Sequence, residues 1–424
     1  MPSSPLFSIM RLMPIVFFLL INYLSYMALV RWMPFFRPGR RRTAFVTIAI
    51  LSALPPLYSV VTGYQTQEAW LRIAYYPALA WNIGQIIFLL AVPIVFLLHR
   101  VQRSLDAEGQ RAPQTKEMPF APGPDPSEKT RQGGDKEAAS HIHLPEKVTR
   151  RHLLQGAITA VPFVALTVAA DGVLVGDNRV ITRTYPVAIP GLPKHLDGLR
   201  LVQVSDVHLG TFFPISRLDD ALELIQKQKP DIFAITGDYV DDVTMLDDAI
   251  RRTEQVSTTF GSYYSLGNHE HYRDLDKVVS AFRKSTIHHL DNSFQTVEKS
   301  LCLLGIDYPF TRRDDENRAM VTERLLDKAL AGAPADLPKI LLTHHPDGFN
   351  AARQRGIALS LAGHTHGGQV GIGDRSLFPF AMEYMRGWYG DEEQKLFVNS
   401  GLGHWLPFRL GCPSEIVTFV LRSA

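Results

Sequence analysis

Four apolar runs most constrain what this chain can fold into. Residues 12–30 are apolar except at Asn22, Tyr23, Ser25 and Tyr26, and residues 44–61, 73–98 and 153–170 follow in the same style. About 20 apolar residues cross a bilayer core, so each run is long enough or nearly so. Charges are absent inside the first three runs and crowd their ends, which argues against three buried helices of a soluble domain. Pro55 and Pro56 would break a helix in water, but in a bilayer neighbouring helices satisfy the freed backbone groups.

Basic residues orient these runs, because short loops rich in Lys and Arg stay in the cytoplasm. The first connection carries Arg31, Arg37, Arg40, Arg41 and Arg42; the second carries only Arg72. The third carries ten, from Arg100 and Arg103 through Lys116 and Lys129 to Arg150 and Arg151. All three counts place the amino terminus outside, and four crossings place everything after residue 175 outside as well. The fourth run follows Thr149-Arg150-Arg151-His152-Leu153-Leu154, which resembles a twin-arginine export signal set inside the chain, and Val168-Ala169-Ala170 has the form of a signal-peptidase site.

The expected organisation is a membrane region at 1–100, a flexible cytoplasmic linker at 101–149, a fourth span at 150–175 and a catalytic domain at 195–424. The linker is rich in Pro, Gly, Gln and mixed charge, with too little apolar surface to offset the entropy of ordering it. Lys and Arg number 44 against 42 Asp and Glu, a net charge of +2. That leaves no basic field, so no nucleic-acid partner is expected. Two cysteines exclude a disulfide-stapled mini-domain and a four-cysteine zinc module.

From about residue 195 the pattern changes. Apolar, β-rich runs at 199–204, 231–236, 262–266, 339–343 and 357–362 alternate with helical spacing, as at 214–229, and most end in glycine-containing loops. This is the grammar of an α/β layered domain, whose chemistry gathers at the carboxyl ends of the strands.

Those ends carry Asp206-Val207-His208, Gly237-Asp238-Tyr239-Val240-Asp241, Gly267-Asn268-His269-Glu270, Thr343-His344-His345-Pro346 and Gly363-His364-Thr365-His366. Carboxylates and imidazoles without thiolates suit divalent ions such as Mn, Fe or Zn. Residues two apart on an extended segment point the same way, so Asp206 with His208, and His364 with His366, can each face one ion. Any one motif is commonplace; five in one domain, each after a β-like run, are not.

In this order the motifs resemble the calcineurin-like metallophosphoesterase superfamily. The spelling Gly-His-Thr-His-Gly-Gly-Gln at 363–369, and the tail running from Gly401 through Arg409 to Glu415, look like its membrane-associated or exported bacterial branch. The resemblance implies an α/β fold of two mixed β-sheets packed as a sandwich and flanked by helices, here preceded by about four spans. It implies two divalent metal ions, one held by Asp206, His208, Asp238 and His366, the other by Asp238, Asn268, His344 and His364. It further implies that His269 protonates the leaving group and that Asp241 orients His269. In protein phosphatases of this superfamily an Arg follows the Gly-Asp-x-x-Asp motif; here Asp242 stands in its place and is expected to repel a phosphate dianion.

The expected function is that of a membrane-anchored phosphohydrolase. A metal-bridging hydroxide would cleave a phosphodiester or pyrophosphate, on a lipid-linked or envelope substrate, at the outer face of the cytoplasmic membrane. Hydrolysis of the pyrophosphate of UDP-2,3-diacylglucosamine is the alternative, and it requires a cytoplasmic site. A non-catalytic metal-binding membrane sensor is the alternative of another class.

Overall fold

The computed structural model describes residues 5–61, 69–111, 150–311, 317–404 and 406–424. Four helices come first: α1 (Pro5–Trp32), α2 (Gly39–Val61), α3 (Ala69–Arg111) and α4 (Arg150–Asp171). The rest comprises β1 (Val180–Ile189), β2 (Arg200–Val204), α5 (Ile215–Lys227), β3 (Ile232–Thr236), α6 (Leu246–Thr253), β4 (Ser262–Ser265), α7 (Asn268–Arg273), α8 (Leu275–Arg283) and β5 (His288–His289). These are followed by β6 (Ser293–Val297), β7 (Leu301–Gly305), α9 (Arg318–Leu330), β8 (Lys339–Leu342), α10 (Gly348–Gln354), β9 (Leu359–Ala362), β10 (Gly371–Ile372), β11 (Arg375–Ser376), β12 (Gly387–Gly390), β13 (Lys395–Val398) and β14 (Ser414–Ser423).

Among the described residues, three helices are long and apolar enough to cross a membrane: Met13–Trp32, Trp70–Ser104 and His152–Gly176. That is one fewer than the four expected. The one not among them, α2, opens with Arg40, Arg41 and Arg42. Its 23 residues nevertheless rise about 35 Å, and it packs against both α1 and α3. The expected linker start at 101 is also corrected: α3 runs on to Arg111, because the charged residues after Leu98 suit a solvated helix as well as a coil. Residues 112–149 of that linker lie outside the described residues.

Buried polar side chains tie the helices together. Asn22 of α1 donates to Asn82 of α3 at 2.8 Å, Trp81 Nε1 donates to Asn22 at 2.6 Å, and Ser25 reaches the Gln85 carbonyl. Where water is scarce, such bonds favour helix association. Leu29, Phe45, Phe88 and Ile158 pack at one end of the bundle. Tyr75, Leu79 and Ile83 of α3 and Ala169 of α4 pack at the other, against Phe212 and Phe408 of the following domain. Ala169 is fully buried there, so the signal-peptidase-like triplet sits inside a packed helix. Just beyond α4, Asp177 accepts from Tyr76 of α3 and Arg217 of α5 and contacts His404, which clamps bundle to domain.

Two six-stranded mixed sheets form the domain, in orders β1-β14-β2-β3-β4-β5 and β12-β13-β9-β8-β7-β6. Their inner faces meet through residues such as Leu201, Ala234, Phe419, Ile340, Leu361 and Phe397. Helices α5, α6 and α8 cover the outer face of the first sheet, and α9 and α10 that of the second. The first sheet begins earlier than the expected boundary at 195, because β1 pairs with β14 in parallel from Val180↔Ser414 to Ile189↔Ser423. Its alternating, half-exposed pattern is that of an edge strand, whose signal is weak without its partner. Cys302 and Cys412 are both free and buried.

Candidate metal centre

The sandwich brings the carboxyl ends of β2, β3 and β4 opposite those of β8 and β9, so short loops from both sheets converge. Asp206, His208, Asp238, His344 and His364 lie in them, His366 opens a short 3-10 turn after β9, and Asn268 opens α7. Asp206, His208, Asp238, His364 and His366 all adopt left-handed backbone, with φ between 50° and 72°. Non-glycine residues seldom hold this conformation, and it costs on the order of 1–3 kcal/mol each unless the surroundings impose it. Five such residues at one locus mark a site whose side-chain directions override local backbone preference. Glycines make the approach possible. Gly237 has φ +80°, and a Cβ there would lie 2.5 Å from His344 Nδ1; a Cβ on Gly363 would lie 1.9 Å from Ser205 Oγ.

Among the described residues three donor sets result, and His208, Asp238 and His269 form one that links the other two. Asp206, His208 and His366 converge in one, with His366 Nε2 3.3 Å from Asp206 Oδ1 and 3.2 Å from His208 Nε2. Asp238, His344 and His364 converge in the other, with His344 Nε2 3.1 Å from Asp238 Oδ2 and 3.2 Å from His364 Nδ1. Asp238 Oδ2 is also 3.7 Å from His208 Nε2, so this carboxylate faces both sets. Asn268 Oδ1 is buried without a hydrogen-bond partner, as is His366 Nδ1. An acceptor stranded beside converging imidazoles and carboxylates fits a divalent cation, as does a donor set of oxygen and nitrogen without sulfur.

Hydrogen bonds behind the ligands settle which ring nitrogen faces the centre. His344 Nδ1 donates to the Thr236 carbonyl at 2.9 Å and His208 Nδ1 to Asp241 Oδ2 at 3.1 Å, leaving both Nε2 atoms to point inward. Glu270 accepts from the backbone N–H groups of Gly267, Asp238 and Tyr239, holding the second and third motif loops together. The tail acts similarly. Buried Arg409 donates to the carbonyls of Ser400, Cys412, Gly401 and Gly403, and the loop it pins accepts no further slack because Leu402 and Gly403 bond to Ser205 and Asp206.

Electrostatics follow from this crowding. Burial pushes the imidazoles of His208 and His344 down, but the surrounding carboxylates outweigh it. Asp241, Asp238 and Asp206 raise His208 to about 9, and Asp238 and Asp206 raise His344 to about 10. Burial, reinforced by His344, lowers His364 to about 3. Burial opposes ionisation of Asp238 and Asp241, yet the facing histidines hold both below the usual carboxylate range.

His269 and Asp241 meet at the rim: His269 Nδ1 lies 2.6 Å from Asp241 Oδ1. Arg273, which the sequence offers as a phosphate clamp or a solvated surface cation, donates to the same oxygen at 3.0 Å and lines the cavity above the centre. Asp242 departs from expectation. It is buried, its Oδ1 accepts from the backbone and hydroxyl of Thr244, and it does not line that cavity. The dense turn before α6 claims the side chain, so it presents no charge to a substrate there. His345 is buried against Arg318, which sits 2.6 Å from its Nε2, and His271 pairs with Asp307. Tyr308, which no motif marks, sets its ring tilted against those of both His344 and His364.

Residues 199–368 match the family model of calcineurin-like phosphoesterases. Among curated proteins, a transmembrane protein with metallophosphoesterase domain from Danio rerio is 32% identical over 56% of this chain and 56% of its own length. An uncharacterized metallophosphoesterase, Cj0846, from Campylobacter jejuni is 33% identical over 57% of this chain and 63% of its own. Another, YkuE from Bacillus subtilis, is 28% identical over 66% of this chain and 99% of its own. The match thus spans little more than half the length of the first two relatives. The domain built on these two sheets belongs to the calcineurin-like metallophosphoesterase superfamily.

Proposed function

We propose that the chain is a membrane-anchored, metal-dependent phosphohydrolase that cleaves a phosphodiester or pyrophosphate on the extracytoplasmic side of the cytoplasmic membrane. The observation that carries this reading is the pair of donor sets that Asp238 faces, as a member of one and 3.7 Å from His208 of the other, with His269 and its carboxylate partner Asp241 on the rim above them.

Asp206, His208, Asp238 and His366 would hold one cation, and Asp238, Asn268, His344 and His364 the other. Two such cations neutralise phosphoryl oxygens and lower the pKa of a water to near neutrality. The protein's own groups do the rest. Asp241 accepts the Nδ1 proton of His269, which leaves Nε2 to deliver a proton to the departing oxygen. Arg273 donates to the same Asp241 oxygen from the cavity side. Asp241 and Arg273 thus form an ion pair at the cavity floor.

Helix direction supports the outer location. The start of α1, the end of α2, the start of α3 and the end of α4 all lie at the domain end of the bundle. Exposed Arg31, Arg37, Arg40, Arg41 and Arg42, with Arg100 and Arg103, lie toward the opposite end. Basic ends stay in the cytoplasm. This arrangement has α2 crossing beside its neighbours despite its lower hydropathy.

The test uses the full chain in detergent, stripped of metal and refilled with Mn or Zn. Metal-dependent hydrolysis of bis-p-nitrophenyl phosphate, lost in Asp238→Ala, is expected. A fully metal-loaded protein inert toward diesters, pyrophosphates and monoesters would favour the sensor reading instead.

A further inference from the structure

A cavity of about 620 Å³ opens over the centre, and its two halves differ in chemistry. Its floor is polar: His208, Asp241, His269 and Arg273. Its wall is apolar and comes from the membrane bundle: Phe17 and Phe18 of α1, Pro56 of α2, and Leu79, Ile83 and Ile86 of α3. Within the domain, Phe212 bridges the two halves, its ring 4.8 Å from that of Tyr75. A volume of this size suits a whole small ligand. A water-soluble phosphodiester makes no use of a wall supplied by helices that cross a bilayer.

We infer that this cavity takes an amphipathic, lipid-type phosphodiester. Its phosphate lies at the metal-ligating side chains, and one hydrocarbon chain lies along the groove between α1 and α3. The inference rests on the phosphohydrolase reading and extends it to the substrate's chemical class. The groove's position explains why the bundle and the domain are clamped through Asp177: a chain that spans both parts needs them in fixed register. The partly exposed Phe17, on the membrane face of α1, gives the hydrocarbon chain a lateral path from the bilayer. Hydrolysis then breaks one P–O bond, consumes one water and leaves a phosphomonoester and an alcohol; whichever product keeps the hydrocarbon chain returns to the bilayer.

The test is a series of p-nitrophenyl alkyl phosphodiesters with ethyl, butyl, hexyl and octyl chains. They are given below their aggregation limit to the Mn-loaded full chain at low lipid content. Burial of each methylene from water favours binding, so kcat/KM is expected to rise by at least about tenfold from ethyl to octyl. In Ile83→Trp and Ile86→Trp, whose indoles fill the groove, that ethyl-to-octyl ratio is expected to shrink to less than about threefold. As a readout independent of those variants, an alkyl phosphodiester with a terminal diazirine is expected to label residues 13–18 and 75–86. Robust turnover with a flat chain-length series, or labelling spread evenly over the bundle, overturns the lipid inference and leaves the phosphohydrolase reading standing. No turnover of any member by metal-loaded protein that still cleaves a pyrophosphate or a monoester overturns the lipid inference alone, and inertness toward all three classes overturns both.

Discussion

Asp241 holds His269 by a 2.6 Å contact between Oδ1 and Nδ1, while its other oxygen holds the ligand-forming ring of His208 at 3.1 Å. One carboxylate therefore aligns both the proposed proton donor and a proposed metal ligand. His269→Ala is expected to lower kcat by about 10²–10⁴ for an alkyl leaving group. The loss should be much smaller for p-nitrophenolate, which departs without a proton. Equal losses for both leaving groups would contradict the acid role. Asp241→Asn should impair both kcat and metal retention, because it touches both rings.

Metal binding should release protons. His208 and His344, raised to about 9 and about 10, are protonated at pH 7.5 without metal, yet an imidazole binds a cation only when neutral. Apparent affinity is therefore expected to fall as pH falls below those values. The sign for folding is the opposite. A raised histidine stabilises the metal-free fold below its unfolded pKa near 6.5, and that contribution is lost as pH climbs toward 9–10. Calorimetric titration with Mn in buffers of different ionisation enthalpy checks the first point. Heats independent of buffer would refute it.

Gly363→Ala should disrupt the centre without removing a ligand. The new methyl would press on Ser205 Oγ and on Asp206 Oδ2, which lies 2.2 Å away. Over-packing of this kind costs about 1–3 kcal/mol, and the displaced Asp206 weakens one donor set. Thermal unfolding and metal content measure the two effects. Wild-type values for both would show that the loops have more slack than their spacing implies.

In the bundle, Asn82→Ala removes the acceptor of Asn22 and the bond to the Ala78 carbonyl. Such intramembrane bonds are worth about 0.6–2 kcal/mol. Reversible unfolding in bilayer discs should show a loss in that range, with diester turnover by folded protein retained.

The side of the membrane is testable by fusion after Ala424. Alkaline phosphatase placed there should be active and green fluorescent protein dark; the reverse would favour a cytoplasmic site and the UDP-2,3-diacylglucosamine alternative.

Much of the site was legible because each metal-ligand motif is contiguous in sequence and follows a strand. Five strand ends predicted from apolar runs coincide within a residue or two with β2, β3, β4, β8 and β9, and the structure brings six of the seven candidate ligands together, with buried Asn268 at the start of α7. What stayed hidden depends on partners far away in the chain. β1 declares itself only beside β14, Arg409 only through the four carbonyls it gathers, and Arg273 only once α7 sets it against Asp241. The left-handed backbone at the ligands was equally illegible, since Asp and His seldom adopt it without tertiary force. Asp242 misled for the converse reason: its motif position suggested a substrate contact, and a local turn captured it.

The most direct test of the central claim is a metal count on the full-length protein, metal-stripped and refilled with Mn, beside Asp238→Ala. Two ions per chain, falling to one or none when the shared carboxylate is removed, is the result expected. Fewer than two ions in the parent, or two retained in Asp238→Ala, would contradict a centre built around Asp238.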